Sequence, residues 1–285
     1  MTKPNDRFPL DWDNWPDILP KKDPDEEENG TEKDLSPKQR REKLRRDAEN
    51  GIATAQLELA ICLFTGSDGF KEDRQEAVDL FRAAAEQGFA PAQCCLALCL
   101  YNGIGRREDS KPEETFMWFQ AAAEQGFVPA QCYLGVCLVD GYGCQPDAKK
   151  ANGWYLKAAE QGFAHAQNNL GFNLANGIGC GKPDAKKAND WYRKAAEQGN
   201  DEAQVNLGAN LLHGVGCDPN PEEAVSLFHR AAEKNNATAQ RNLGICLVVG
   251  IGGKRDPKEG MKLLRTAAQQ GDEEAKKVLS KLGDH

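Results

Sequence analysis

The chain has 285 residues, with 36 Lys and Arg against 44 Asp and Glu, and its formal net charge is −8. That acidic balance argues against a protein that mainly neutralises nucleic-acid phosphates or coats an anionic membrane, so we expect neither as a partner. No stretch approaches the roughly 18 consecutive apolar residues of a membrane-spanning helix. The first residues lack the apolar core of a secretory signal, so the expected location is the cytoplasm.

Residues 1–35 are predicted to form a disordered acidic tail, because they hold five of the fourteen prolines and carry eleven negative against five positive charges. Phe8, Trp12 and Trp15 make this stretch unusually aromatic. Such a segment often folds onto a groove. We therefore expect it to bind a partner, or to dock within its own chain as a self-blocking strand, and the alternative is an inert linker.

A capping helix is predicted to follow the tail. Ser36 and Gln39 form the Ser-x-x-Gln pattern of a capping box, and the segment ends at Asn50-Gly51. Six basic residues lie on this helix: Lys38, Arg40, Arg41, Lys43, Arg45 and Arg46. No aromatic residue is interleaved with them, so a solvated face paired with the acidic tail is preferred to a nucleic-acid or membrane site.

The rest of the chain is an internal repeat. The string Ala-Glu-Gln-Gly, or a close variant, ends at Gly51, Gly88, Gly126, Gly162, Gly199 and Gly271, and it degenerates at Asn235. An Ala-Gln pair follows each one except the last, with glutamines at Gln56, Gln93, Gln131, Gln167, Gln204 and Gln240, and Ala275-Lys276 follows Gly271. Repeats of 36–38 residues that lack strand alternation are typical of stacked helix pairs.

Each repeat reads as two helices, called helix A and helix B. Helix A begins near the Ala-Gln pair, carries leucines three and seven positions after the glutamine, and ends at a Gly-x-Gly turn. Glycines recur inside helix A at Gly135, Gly171, Gly208 and Gly244. A helical glycine costs up to about 1 kcal/mol, so its recurrence predicts that another helix packs closely there. Helix B carries an aromatic or aliphatic pair such as Trp191-Tyr192.

We therefore predict an all-α solenoid of about six helix-turn-helix repeats with capping helices at both ends. The tail occupies 1–35 and the repeat array 36–285. The repeats are placed at about 52–88, 89–126, 127–162, 163–199, 200–235 and 236–271, and the C-terminal cap at 272–285.

The order Ala-Gln-x-x-Leu-Gly, Gly-x-Gly and Trp-Tyr-x-Lys-Ala-Ala-Glu-Gln-Gly resembles the Sel-1-like repeat family, which is related to the tetratricopeptide repeats. The resemblance covers residues 36–285 and is strongest in 127–162 and 163–199. The first repeat lacks the Gly-x-Gly turn, and the fifth lacks its closing glycine at Asn235. The resemblance implies a right-handed superhelix that binds proteins, often as an adaptor, and that is not an enzyme.

In such superhelices the A helices line the concave surface, and we place the groove floor at positions two, six and nine after each glutamine. The peptide-binding candidates on this stripe are Tyr133, Asn169, Asn173, Asn176, Asn206, Asn210, His213 and Asn242. Amides donate and accept together, so they can pair with the main chain of an extended peptide. The alternative is that these asparagines bond to neighbouring helices and only tile the surface.

Seven of the ten cysteines recur at two equivalent repeat positions, which favours small buried hydrophobes. The alternative is a thiolate metal or redox site, with Cys95 and Cys99 one helical turn apart and Cys62 and Cys137 one repeat to either side. That alternative would make the chain a thiol-redox or metal-responsive sensor.

Catalysis finds little support in the sequence. Some proteins of the resembled family have been labelled β-lactamases, but none of the five serines begins a Ser-x-x-Lys motif. The Gly-x-Gly turns separate two helices and do not follow a strand, so they are not nucleotide loops. We expect a non-catalytic interaction scaffold without a cofactor.

Overall fold

The computed structural model describes residues 35–105 and 111–283. Within those ranges the chain forms fourteen α-helices and no β-strand. The helices are α1 (Pro37–Glu49), α2 (Ala53–Thr65), α3 (Arg74–Glu86), α4 (Ala90–Tyr101), α5 (Pro112–Glu124), α6 (Val128–Asp140), α7 (Ala148–Glu160), α8 (Ala164–Asn176), α9 (Ala185–Glu197), α10 (Asp201–His213), α11 (Pro221–Glu233), α12 (Ala237–Val249), α13 (Pro257–Gln269) and α14 (Glu273–Lys281). The predicted all-α fold of six helix pairs is confirmed.

The chain divides into two compact units. The first ends at Pro146 and holds α1 to α6, and the second begins at Asp147 and holds α7 to α14. In each unit a helix packs against the next helix along the chain. The even-numbered helices α2 to α12 are the A helices of the six repeats, and α3 to α13 are the B helices. The caps are α1, which follows the predicted capping box of Ser36 and Gln39, and α14.

The Gly-x-Gly turn does two different things. Its first glycine ends helix A in the left-handed conformation, as at Gly177 with φ of 72°. Its second glycine lies against the first turn of the preceding helix B. A Cβ at Gly179 would stand 2.4 Å from the carbonyl oxygen of Ala148, which no side chain tolerates. The turn therefore joins adjacent repeats as well as stopping the helix.

The glycines inside helix A accommodate the buried ring of helix B. A Cβ on Gly208 would come within 2.6 Å of Phe228, and one on Gly171 within 2.8 Å of Tyr192. Both rings are buried in the core of the second unit. The close approach that the sequence predicted is confirmed in these repeats, and it explains why a residue with low helix propensity is used there.

The glutamine of helix A links successive repeats. Gln167 Nε2 donates to the carbonyl oxygen of Ala159 at 3.0 Å, and its Oε1 accepts from Gln198 Nε2 at 2.8 Å. Gln240 Oε1 accepts from Gln270 in the same way, also at 2.8 Å. The two motifs Ala-Gln and Ala-Glu-Gln-Gly therefore recur together because their glutamines satisfy each other in the interior.

The fifth repeat breaks this arrangement at one residue. Lys234 stands where the other repeats have the donor glutamine, and its Nζ donates to the carbonyl oxygen of Gly199 at 2.7 Å. Gln204 still donates to Ala196 at 3.1 Å, but its Oε1 is buried without a hydrogen-bond partner. A buried acceptor left unsatisfied costs about 1–3 kcal/mol.

We predict that Lys234→Gln stabilises the protein by about 1 kcal/mol, because the new amide can donate to Gln204 while the bond to Gly199 is lost. Urea unfolding followed by circular dichroism measures the change. Lys254→Gln, at an exposed loop position, removes the same charge and should leave the midpoint unmoved. A gain shared by both variants would point to net charge instead.

Candidate functional site

The exposed stripe of the A helices is shifted from the predicted one. The residue six positions after the glutamine is buried in most repeats, and Asn173 retains only 3% exposure. The residue five positions after it is the more open one in the second unit, where Phe172 is 37% exposed. With about 100° per residue, positions two and nine point in nearly the same direction, and positions five and six lie about equally far to either side of them. Position six turns towards the neighbouring helix B, as the bond from Asn173 to Asn152 shows, so position five is the side that stays open.

We call the stripe at positions two, five and nine of α8, α10 and α12 the A-helix face. Its residues are Asn169, Phe172, Asn176, Asn206, Ala209, His213, Asn242, Ile245 and Val249. None of these side chains carries a permanent charge, although 28% of the chain is charged. Val249 is 61% exposed at the end of α12. The face therefore combines amides with exposed apolar groups.

Asn173 and Asn210 hold helices together. Asn173 Nδ2 donates to Asn152 Oδ1 at 2.7 Å, and Asn152 Nδ2 donates to the carbonyl oxygen of Ile178 at 2.7 Å. One repeat later, Asn210 donates to Asn189 at 2.7 Å, and Asn189 to the carbonyl oxygen of Val215 at 2.7 Å. Each relay joins helix A, the preceding helix B and the turn that follows helix A. These contacts favour the tiling alternative for both residues.

The remaining asparagines differ in their contacts. Asn206 Nδ2 donates to Asn168 Oδ1 on α8 at 3.1 Å, so α8 and α10 are in direct contact. Asn242 Oδ1 accepts a long bond, 3.4 Å, from Nε of Arg241. Asn176 is exposed and donates to the carbonyl oxygen of Phe172 in its own helix at 2.8 Å. Within the described residues, Asn206 Oδ1 and Asn242 Nδ2 have no protein partner.

The first unit presents a different surface at the equivalent positions. Every residue of α4 from Pro91 to Leu100 is buried, so α4 offers no open stripe. Tyr133 on α6 is half-buried and stacks on Phe119, with ring centroids 5.3 Å apart. Burial raises the pKa of Tyr133 well above its ordinary value. Of the predicted groove residues, Tyr133 thus lies in a packed aromatic contact.

The sequence prediction left out position five and therefore missed Phe172, whereas Val249 lies at the predicted position nine but was not among the candidate residues. In other repeats the position of Phe172 holds core-type residues, namely Ile61, Leu98, Val136 and Ile245. No signal in the sequence favours it over position six, since the two lie about equally far to either side of positions two and nine on a helical wheel.

The cysteines of the proposed thiol cluster are free and buried: Cys62, Cys95, Cys99 and Cys137. Desolvation raises the pKa of Cys62 to about 11 and that of Cys99 to about 12. These groups are therefore neutral thiols at pH 7, whereas metals and oxidants react with the thiolate. Among the residues that the structure describes, no three His, Cys, Asp or Glu side chains are grouped to hold a metal ion.

Phe8, Trp12 and Trp15 lie outside the described residues. No helix within the part that the structure describes is long and apolar enough to cross a membrane.

The fold and these contacts define the class as an all-α protein of stacked helix-turn-helix repeats. The Sel1 repeat family model matches residues 53–89, 90–127, 128–163, 164–200, 201–236 and 237–272. The chain belongs to the Sel1 repeat family. Proteins built from Sel1 repeats generally mediate protein–protein interaction, and the fold is typically a non-catalytic scaffold.

Two solved structures are similar over most of the chain. The c5321 protein, a protective antigen present in uropathogenic Escherichia coli strains that displays an SLR fold, is 33% identical with a TM-score of 0.73. That alignment covers 85% of this chain and 50% of c5321, so the chain spans half the length of that relative. A Sel1 repeat protein from Oxalobacter formigenes is 30% identical with a TM-score of 0.69, over 76% of this chain and 85% of its own. No curated protein matches the chain.

Proposed function

We propose that the chain is a non-catalytic adaptor whose A-helix face binds an extended segment of a protein partner. The observation that carries this proposal is a partly exposed surface on three A helices without a permanent charge, in a chain where more than a quarter of the residues are charged. Exposed apolar side chains on such a face are unfavourable in water unless a partner covers them.

The amides give the face a way to hold a main chain. An extended peptide offers alternating N–H and C=O groups, and an asparagine can pair with either. Asn206 is held in place by its bond to Asn168 yet keeps its Oδ1 available, and Asn242 keeps its Nδ2. Side chains fixed before binding lose little conformational entropy when the peptide arrives.

The apolar residues give the face its selectivity for a partner. Phe172 and Val249 lie on α8 and α12, on either side of α10. An extended peptide places every second side chain on one side, so apolar residues in alternate positions could cover them while its main chain meets the asparagines. We therefore expect the bound segment to be uncharged or weakly charged, with apolar side chains two residues apart.

We predict that Phe172→Asp weakens binding of such a peptide at least tenfold, because it removes apolar contact and places a charge on the face. Selection of a random twelve-residue phage library on the immobilised full chain supplies the peptide, and fluorescence polarisation measures its Kd. The matched control is Leu156→Asp, since Leu156 is 39% exposed on the B helix α7, close to the 37% of Phe172.

Three outcomes of this experiment show whether the peptide binds to the A-helix face. Loss of affinity in Phe172→Asp alone supports the face as the binding site. Equal affinity in both variants places the peptide elsewhere and contradicts the proposal. Failure to select any peptide on the folded chain also contradicts it, and circular dichroism of both variants shows whether a loss reflects unfolding.

A further inference from the structure

A cavity of about 740 Å³ lies at the start of the repeat array, between α1, α2 and the turn that follows α2. Its lining includes Leu35, the first described residue, together with Leu44, Ile52, Cys62 and Phe70. These apolar side chains line the cavity together with charged side chains of α1 and α2. Its volume is in the range that holds several side chains or a drug-sized molecule.

The α1 wall of this cavity corresponds to a helix-binding surface in later repeats. Leu44 stands five residues before the end of α1, as Tyr192 does before the end of α9. Tyr192 packs on Gly171 of the preceding A helix, where a Cβ would be 2.8 Å from its ring. In the array, this wall of a helix B therefore receives the A helix that precedes it.

The α2 wall of the cavity also corresponds to a surface that contacts the preceding A helix in later repeats. Thr54 and Glu58 line the cavity, two residues before and two after Gln56. The equivalent residues of α10 are Glu202 and Asn206, and both bond to Asn168 of the preceding A helix, at 2.9 and 3.1 Å. The cavity thus occupies the place where helix A of a preceding repeat would pack.

The sequence before residue 35 does not have the pattern of that helix. Counting back one repeat of about 37 residues from α2 places the missing helix A near residues 16–28. That stretch contains Pro16, Pro20 and Pro24 and no Ala-Gln pair. Pro20 and Pro24 would lie inside such a helix, where a proline removes a backbone donor and clashes at a cost of about 3 kcal/mol, whereas Pro16 would lie in the tolerant first turn.

We propose that the cavity is the docking site of residues 8–19 of the same chain, which cap the open end of the array in place of a helix. In this segment apolar and acidic residues alternate around Trp12, with Asp11 and Asp13 on either side of it and Asp17 before Ile18. An extended chain puts Leu10, Trp12 and Ile18 on one side, towards the cavity, and the three aspartates on the other, towards α1, together with Trp15.

The charge of the two parts is complementary. The helix α1 carries six cations and three anions, and the tail of residues 1–35 has a net charge of −6. The cavity lining itself is balanced, with Arg40, Arg41 and Lys43 on α1 and three carboxylates at Asp47, Glu58 and Asp68. The Asp68 side chain accepts from Cys62 Sγ at 3.4 Å, so that carboxylate faces α2. The cations all lie on one wall, and we place the acidic side of the segment there.

The linker is long enough to allow this docking. Fifteen residues, and so sixteen residue steps, separate Leu19 from Leu35, which lines the cavity. A flexible chain of that length has a root-mean-square span of about 22 Å, and fully extended it reaches about 55 Å. Tethering at this distance gives an effective concentration in the millimolar range, so even weak contacts would keep the segment docked.

Photo-crosslinking of the full chain tests the proposal. Trp12→p-benzoylphenylalanine places the probe in the segment, and mass spectrometry maps its adducts after illumination at low concentration. We expect intramolecular adducts on α1, α2 or residues 66–70. The pair Arg40→Glu with Lys43→Glu should reduce their yield at least fivefold, whereas Lys149→Glu with Lys186→Glu, exposed on α7 and α9, should not.

Each other outcome overturns the proposal. Adducts on α8, α10 or α12 would place the tail on the A-helix face, and adducts only between chains would make a second copy the occupant. No adduct at all would show a segment that does not dock. If Arg40→Glu with Lys43→Glu leaves the yield unchanged, the acidic side of the segment does not pair with α1 and the proposal is contradicted. The adducts mapped on the chain with native Arg40 and Lys43 test the docking site even if that variant fails to fold.

Discussion

Gly252→Ala is expected to destabilise the protein by about 2–5 kcal/mol, although it adds one methyl group in a surface turn. A Cβ at this position would lie 2.3 Å from the carbonyl oxygen of Pro221, at the first turn of α11. Backbone on both sides must move to relieve that contact, and overpacking of this kind costs about 1–3 kcal/mol. The left-handed φ of 67° adds about 1–2 kcal/mol for alanine.

Gly271→Ala is the matched control for that prediction. Gly271 also has a positive φ, 95°, but a Cβ there would meet nothing within 4 Å. The free energy of unfolding should fall in Gly271→Ala only by the conformational cost of the left-handed backbone, about 1–2 kcal/mol. Urea unfolding of the two variants separates backbone conformation from the contact between repeats. Equal losses would show that the close approach to Pro221 has no energetic weight.

The same contact recurs along the array, so its disruption should be felt locally. In two other repeats, a Cβ added at Gly143 would lie 2.2 Å from the Pro112 oxygen, and one added at Gly179 would lie 2.4 Å from the Ala148 oxygen. Repeat proteins are held together by interfaces between neighbours, so a damaged interface need not unfold the whole chain. Hydrogen exchange in Gly252→Ala should therefore rise first in α11 to α13.

The sequence predicted most of the fold because its signals are local and repeated. Helix A, its glycine stop and the paired glutamines each recur in successive repeats. The pattern can therefore be recognised even though single repeats deviate from it. The close packing at Gly171 and Gly208 was predictable for the same reason. A glycine inside a helix is unfavourable, and only a steric requirement explains its recurrence.

The candidate site was less predictable because its geometry depends on neighbours. Asn173 looks like a surface residue in the sequence, yet its partner Asn152 lies on another helix, 21 positions away. An A helix is contacted by the helix B on either side of it and by the next A helix. Period and polarity cannot say which of two adjacent stripes stays open. The stripe at position five, with Phe172, emerged only from the packing.

Because Asn173 and Asn210 bond to neighbouring helices, their substitution should have a large effect on stability. We predict that Asn173→Ala combined with Asn210→Ala destabilises the second unit by about 2–6 kcal/mol. Each substitution leaves Oδ1 of Asn152 or Asn189 without its donor, and an unsatisfied buried polar group costs about 1–3 kcal/mol. The two relays lie in successive repeats and share no residue, so their effects should be nearly additive.

Asn176→Ala provides the control for the double variant. Its amide is exposed and donates only to the carbonyl oxygen of Phe172 in its own helix, so its removal should change stability by less than about 0.5 kcal/mol. If the double variant unfolds at the same urea concentration as Asn176→Ala, the relays are not structural and their amides become available to a ligand. If the double variant unfolds at a lower urea concentration, a loss of peptide binding by it does not show that Asn173 or Asn210 contacts the peptide. Binding must then be tested at Phe172, Asn206 and Asn242, whose side chains lie on the A-helix face itself.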